Sequence, residues 1–169
     1  MKWQWKLARI AGIDVYMHAT FPLLIGWVAF SSWTEQGTLQ AVLSGILFIL
    51  LLFGFVVMHE YGHALTARKF GIKTRDITLY PVGGVARLER MPEKPIEELW
   101  VALAGPAVNV VVAILLFAYL AVTRTIEPLT SLSISTGSLI ERLMIVNLWL
   151  VGFNLIPAFP MDGGRVLRA

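Results

Sequence analysis

Apolar residues run together in four stretches of this chain: Thr20 to Trp33, Leu39 to about Ala67, Leu99 to Val122, and about Leu139 to Ile156. A bilayer core of about 30 Å asks for about 20 residues of helix. The second stretch meets that length most clearly. The first is short unless it begins near Val15 and takes in His18. The fourth is interrupted by Asn147, Gly152, Asn154 and Pro157. So many breakers predict a functional break that lines a cavity. Between the long runs lie shorter patterns. Residues 3–18 mix charge with β-branched and aromatic residues, and Ile10 to Tyr16 is predicted as a short interfacial strand. Residues 72–90 read as a hairpin, with Gly83-Gly84 supplying positive φ and Pro81 demanding an edge or a bulge. The pattern as a whole predicts an α-helical polytopic membrane protein, with about four transmembrane helices and a small membrane-associated β-hairpin or sheet.

Composition agrees. Of 169 residues, 57% are hydrophobic and 15% charged, against about 25% charged in soluble domains. There is no cysteine, which excludes disulfides, thiolate metal sites and a cysteine nucleophile. Any zinc must therefore be held by histidine and carboxylate. The basic start is not followed by a small-residue cleavage site, so no cleavable signal peptide is expected.

The net charge of +3 matters less than where the charges lie. Lys2, Lys6 and Arg9 precede the first run; Trp3 and Trp5 beside them fit a membrane-surface belt. Arg68, Lys69, Lys73, Arg75, Arg87, Arg90 and Lys94 follow the second, and Arg165 and Arg168 end the chain. The opposite side has Arg124 and, near a helix end, Arg142. The positive-inside rule then predicts a multi-pass protein of the cell membrane, with the N-terminus, the 68–98 loop and the C-terminus in the cytoplasm.

The second run carries the chemistry. From Leu39 to Ala67 its ionisable residues fall within His59-Glu60-Tyr61-Gly62-His63. Ionisable groups in a membrane helix are costly and are functional candidates. Residues i and i+4 share a helix face, about 6 Å apart along the axis. Both histidines can therefore bind one metal, with Glu60 as general base toward the water it activates. His63 is five residues from Arg68, so the site is expected inside the membrane near its cytoplasmic face. Catalytic zinc takes three protein ligands and an open position. Asp162 is the candidate third ligand, because it follows a run that returns to the same side. Asp-Gly-Gly is also a strong turn signal, which is the plainer reading of Asp162. The histidine pair makes ligation the better one.

The chain resembles the site-2 protease family of intramembrane zinc metalloproteases. The likeness rests on HEYGH (59–63), GGVARL (83–88), AGPAVN (104–109) and NLIPAFPMDGGR (154–165), in the family's order. It is nearest to the minimal prokaryotic branch without a PDZ domain, which includes proteases that process a sporulation pro-sigma factor. The resemblance implies one Zn2+ per chain held by His59, His63 and Asp162, and Glu60 as catalytic acid/base. It implies that Asn154 helps to hold substrate or the tetrahedral intermediate; a helix-packing hydrogen bond is the alternative. It implies that the 77–90 segment offers a strand edge to an unwound substrate, the alternative being an ordinary surface hairpin. His18 is read as interfacial and without a catalytic role, the alternative being a substrate-contacting or regulatory group that approaches the metal site, and Asn109 as close helix packing with contact behind the ligands open. Residues 1–169 read as a catalytic core without the further helices and CBS domains of many family members.

The expected function is a zinc metalloendopeptidase that cuts single-span membrane proteins in or near the membrane. Its partners are that substrate and the bilayer, with no nucleic acid and with self-association left open. A non-catalytic zinc-binding scaffold is the alternative, and the intact Glu60 argues against it. A metal transporter would spread its ligands along a path, whereas these converge at one depth.

Overall fold

The computed structural model describes residues 3–123, 137–158 and 161–168. Lys2, Arg124 and the Phe159-Pro160 pair of the last motif lie outside them. The chain forms a helical layer with a small sheet against one end of it. Strands β1 (Gln4–Ile10) and β2 (Ile13–His18) precede helices α1 (Phe21–Gln36) and α2 (Leu39–Lys69). Strands β3 (Thr74–Tyr80) and β4 (Gly83–Leu88) follow, then α3 (Pro95–Thr123), α4 (Leu139–Asn154) and α5 (Asp162–Arg168).

Of the described helices, α2 and α3 are long and apolar enough to cross a membrane. Their outward faces are apolar, with Leu43, Leu47, Leu50, Ile114, Leu115 and Phe117 all exposed. Such a surface suits lipid and not water. Helices α1 and α4 are shorter, at 16 residues each. Helix α4 differs from expectation. It runs unbroken through Asn147 and Gly152. Asn147 is fully buried, and its amide donates to the Leu143 carbonyl one turn back at 2.8 Å. That bond ties the amide nitrogen to its own helix, while Oδ1 stays buried without a partner among the described residues, and the helix is not broken. The break comes at Asn154, before Pro157.

The N-terminal segment also differs. A single strand over Ile10 to Tyr16 is not formed, because the chain reverses at Ala11 and Gly12, both at positive φ (49° and 82°). Two consecutive positive φ values make a tight hairpin turn that matches strand twist. The second hairpin is present, but its two-residue loop is Pro81-Val82. Pro81 therefore needs neither an edge nor a bulge. Gly83, at φ 142°, is the first residue of β4, and the expected turn glycines begin the strand instead.

The sheet order is β1-β2-β3-β4. The central pair β2 and β3 is parallel, with Asp14 opposite Asp76 and Met17 opposite Leu79. The crossover between them is the α1–α2 pair. Three apolar clusters hold the sheet to the helices. Phe21, Phe53, Val56 and Leu79 form one, with Phe21 edge-on to Phe53 at 4.6 Å. Ile13, Ala64 and Ile77 form another, and Ala67, Ile72 and Val101 the third. The β1–β2 turn is pinned to α2 by polar contacts as well. The Tyr61 hydroxyl donates to the Ile10 carbonyl at 3.0 Å, and Arg68 to that of Ala11 at 2.6 Å.

Within the sheet, Arg87 on β4 grips Asp76 on β3 with two bonds of 2.7 Å. Those hydrogen bonds raise the guanidinium pKa above its ordinary value. Asp76 was given no role by the sequence, yet it locks β4 in register. Charge-assisted paired bonds of this kind are the strong ones. Asp76→Ala is expected to lower the melting temperature by several degrees in detergent, read by a thermal scan of tryptophan fluorescence. An unchanged transition would show that β4 is held by other contacts.

Candidate metal centre

Helix α2 presents His59 and His63 one turn apart, both buried. Gly62 lets α3 approach, because a side chain there would run into the Ala104 carbonyl. Gly105, on the next stretch of α3, faces the imidazoles; a Cβ at that position would sit 2.7 Å from His59 Nε2. The third group arrives from the other end of the chain. Asp162 was read as a turn residue or a ligand and stands in the first turn of α5, buried.

Their donor atoms converge. His59 Nε2 and His63 Nε2 are 3.1 Å apart, and Asp162 Oδ2 lies 3.2 Å and 3.1 Å from them. Two imidazole nitrogens and one carboxylate oxygen are a catalytic zinc donor set. With bonds of about 2.0–2.2 Å at tetrahedral angles, donors of one ion lie about 3.3 Å apart. The arrangement therefore fits zinc. The tautomer fits too: His63 Nδ1 donates to the Val101 carbonyl at 2.7 Å, leaving Nε2 free to ligate. His59 Nδ1 is buried without a hydrogen-bond partner among the described residues.

A cavity of about 260 Å³ opens on these groups, lined also by Glu60, Asn154, Arg165 and the β4 residues Gly84, Val85, Ala86 and Leu88. Glu60 Oε2 accepts from the Ala86 amide at 3.1 Å. That amide points away from β3, so by the two-residue alternation of a strand Gly84, Ala86 and Leu88 turn their backbone groups to the open edge. The free edge of the sheet and the metal donors thus face one space. Asn154 ends α4 in that space, its amide donating to the Leu150 carbonyl at 2.9 Å. A second chamber of about 270 Å³ continues past His59, Glu60 and Asn154 to Asn109. Asn109 is fully buried, and neither of its amide atoms has a partner among the described residues. It makes no bond to a metal donor. His18 stacks on Tyr80 at 5.0 Å and bonds Thr20, and it does not line either chamber.

Residues 47–136, more than half of the chain, match the model of peptidase family M50. The chain belongs to peptidase family M50. Among curated M50 relatives it is 38% identical to zinc metalloprotease MJ0392 of Methanocaldococcus jannaschii, over all of this chain and 46% of that protein. It is 29% identical to stage IV sporulation protein FB of Bacillus subtilis, over 78% of this chain and 41% of that one. The chain spans under half the length of these curated relatives. Among solved structures it superposes on the site-2 protease from Methanocaldococcus jannaschii with a TM-score of 0.72 and 37% identity, covering 98% of this chain and 70% of that one. The M50 match begins inside α2, before the histidine pair, and stops short of α4. Zinc is the metal of this family's named relatives, in accord with the donor set.

Sequence reasoning missed three contributors to the centre. Ala86 offers only a backbone amide, Gly105 only the lack of a side chain, and Arg165 was counted as one more basic tail residue. The signal for Gly105 was its place beside Pro106 in a long apolar helix, which marked close packing on the helix that carries the histidines but not that the glycine faces their rings.

Proposed function

We propose that this M50 chain is the catalytic core of an intramembrane zinc metalloendopeptidase that hydrolyses peptide bonds in or near the spans of single-span membrane proteins. The observation that carries this reading is the shared cavity: three metal donors, a carboxylate and an open strand edge face one another. His59, His63 and Asp162 are its zinc ligands. When bound there, zinc lowers the pKa of a coordinated water toward about 7 and polarises the scissile carbonyl.

The chain's own groups do the rest. Glu60 accepts a proton from the attacking water and returns it to the departing amine. The Ala86 amide holds the Glu60 carboxylate toward the cavity until substrate enters. A substrate span that unwinds locally pairs with β4 through the edge groups of Gly84, Ala86 and Leu88, as an added strand. Asn154 supplies a polar contact to the reacting carbonyl; one of its donors is already engaged by Leu150, leaving the second. Four helices cross the cell membrane with both ends in the cytoplasm, and the centre lies near that face. Stage IV sporulation protein FB bears a name from sporulation. By that kinship a membrane-bound regulator is the natural kind of substrate.

The test is metal removal. Detergent-solubilised protein carrying one zinc per chain is incubated with a single-span substrate, before and after stripping by 1,10-phenanthroline. Cleavage is expected to vanish on stripping and to return on adding zinc alone. Zinc binding without cleavage of any span in a panel would favour the non-catalytic scaffold.

A further inference from the structure

We infer that Arg165 is a specificity-determining residue that binds an anionic side chain of the substrate close to the scissile bond. The inference rests on the proteolytic reading above and extends it to the substrate's chemistry.

Helix α5 carries two arginines one turn apart, and they differ in their surroundings. Arg168 reaches across to α3 and pairs with the buried carboxylate of Glu98. It docks the short helix and complements its C-terminal end. Arg165 has no hydrogen bond, ion pair or ring contact among the described residues, although Asp162 stands three residues before it on the same helix. Asp162 turns its Oδ2 to the two imidazoles instead. Arg165 lines the metal cavity and is its sole cationic side chain apart from the imidazoles.

Arg165 is half-buried, and its guanidinium keeps its five N–H donors free of protein partners among the described residues. Its planar fork fits a carboxylate through two parallel bonds. The other charges of the cavity do not use it. With zinc bound, Asp162 and Glu60 balance the metal's charge, and Glu60 is already held by the Ala86 amide. The guanidinium is then the positive side chain left facing that space, and it attracts an anion brought there. A substrate strand on the β4 edge enters the cavity that Arg165 lines, since Gly84, Ala86, Glu60 and Arg165 share it. An Asp or Glu on such a strand meets Arg165, and a Lys or Arg is repelled.

The experiment uses a fluorescent single-span peptide in detergent, with Asp, Asn or Lys scanned through the segment around its cleavage point. The wild type is expected to prefer Asp over Lys by about tenfold or more in kcat/KM, mainly through KM, at one or two positions. Arg165→Glu is expected to reverse that order, and Arg165→Gln to level it. Fluorescence anisotropy of the same peptides on Glu60→Gln protein, with zinc and stripped, reads the preference without turnover. If Arg165→Glu fails to keep zinc, Arg165→Gln decides alone. An unchanged Asp-to-Lys ratio in a zinc-loaded variant would overturn the assignment, and would leave Arg165 as a lipid-headgroup or helix-end charge. Failure of the proteolytic reading looks different: no peptide is cut, while the charge preference in anisotropy persists and still follows residue 165.

Discussion

Glu60→Gln is expected to slow cleavage of a single-span substrate by about 10²–10⁴-fold, the usual weight of a general acid–base group, with zinc content unchanged. The two halves of that outcome follow from different contacts. The metal donors come from His59, His63 and Asp162, and Glu60 is not among them. A glutamine at 60 still offers an oxygen to the Ala86 amide, so β4 stays in place. It cannot take a proton from water. Single-turnover cleavage in detergent, with zinc measured on the same sample, reads both halves. Undiminished cleavage would remove Glu60 from the mechanism. Loss of zinc would mean that its carboxylate supports the ligands and does more than move protons.

Gly105→Ala should have the second large effect, and on the metal directly. A single methyl at this position of α3 would press on His63 and come within 2.7 Å of His59 Nε2. The His63 ring is held against retreat by its Nδ1 bond to the Val101 carbonyl on the same helix α3. Either the rings rotate off the metal or α3 moves away from α2. Overpacking of this kind typically costs about 1–3 kcal/mol, which is roughly 5- to 150-fold in affinity if it falls on the metal. Competition with a fluorescent zinc chelator measures it. Gly54→Ala on the same helix as the histidines is the control, because a Cβ there meets nothing within 4 Å. Equal zinc affinity in the two variants would show that the centre tolerates a wider spacing of α2 and α3.

These two expectations mark what a linear reading can and cannot see. The histidine pair was legible because its spacing is local and its helix is otherwise apolar, so one turn of backbone defines the chemistry. Asp162 was legible as a donor, but not as the start of a helix. Asp-Gly-Gly carries turn propensity, and the docking of Arg168 onto Glu98 that anchors α5 is a contact across the fold. Asn147 and Gly152 were misread as breakers because the sequence does not reveal that the Asn147 amide nitrogen can bond back to the Leu143 carbonyl of its own helix. The N-terminal hairpin hid behind Ala11, a residue type that seldom adopts positive φ and so gives no turn signal. The hold of Ala86 on Glu60 and the crowding by Gly105 involve backbone atoms, which every residue has. Only tertiary packing singles them out.

The parallel pairing of β2 with β3 has a consequence for biogenesis. Its partners, Asp14 and Asp76, are separated by the whole of α1 and α2. Non-local pairs close late, after the intervening chain has settled. On the proposed four-span topology, both helices are inserted and both strands emerge on one side of the bilayer before the sheet can form. Glu60 gains its β4 contact only once β4, which lies later in the chain, has packed against α2. A nascent chain carrying the complete HEYGH motif is thus still without its strand edge, and the cavity that Glu60 shares with β4 is complete only once β4 has joined the sheet.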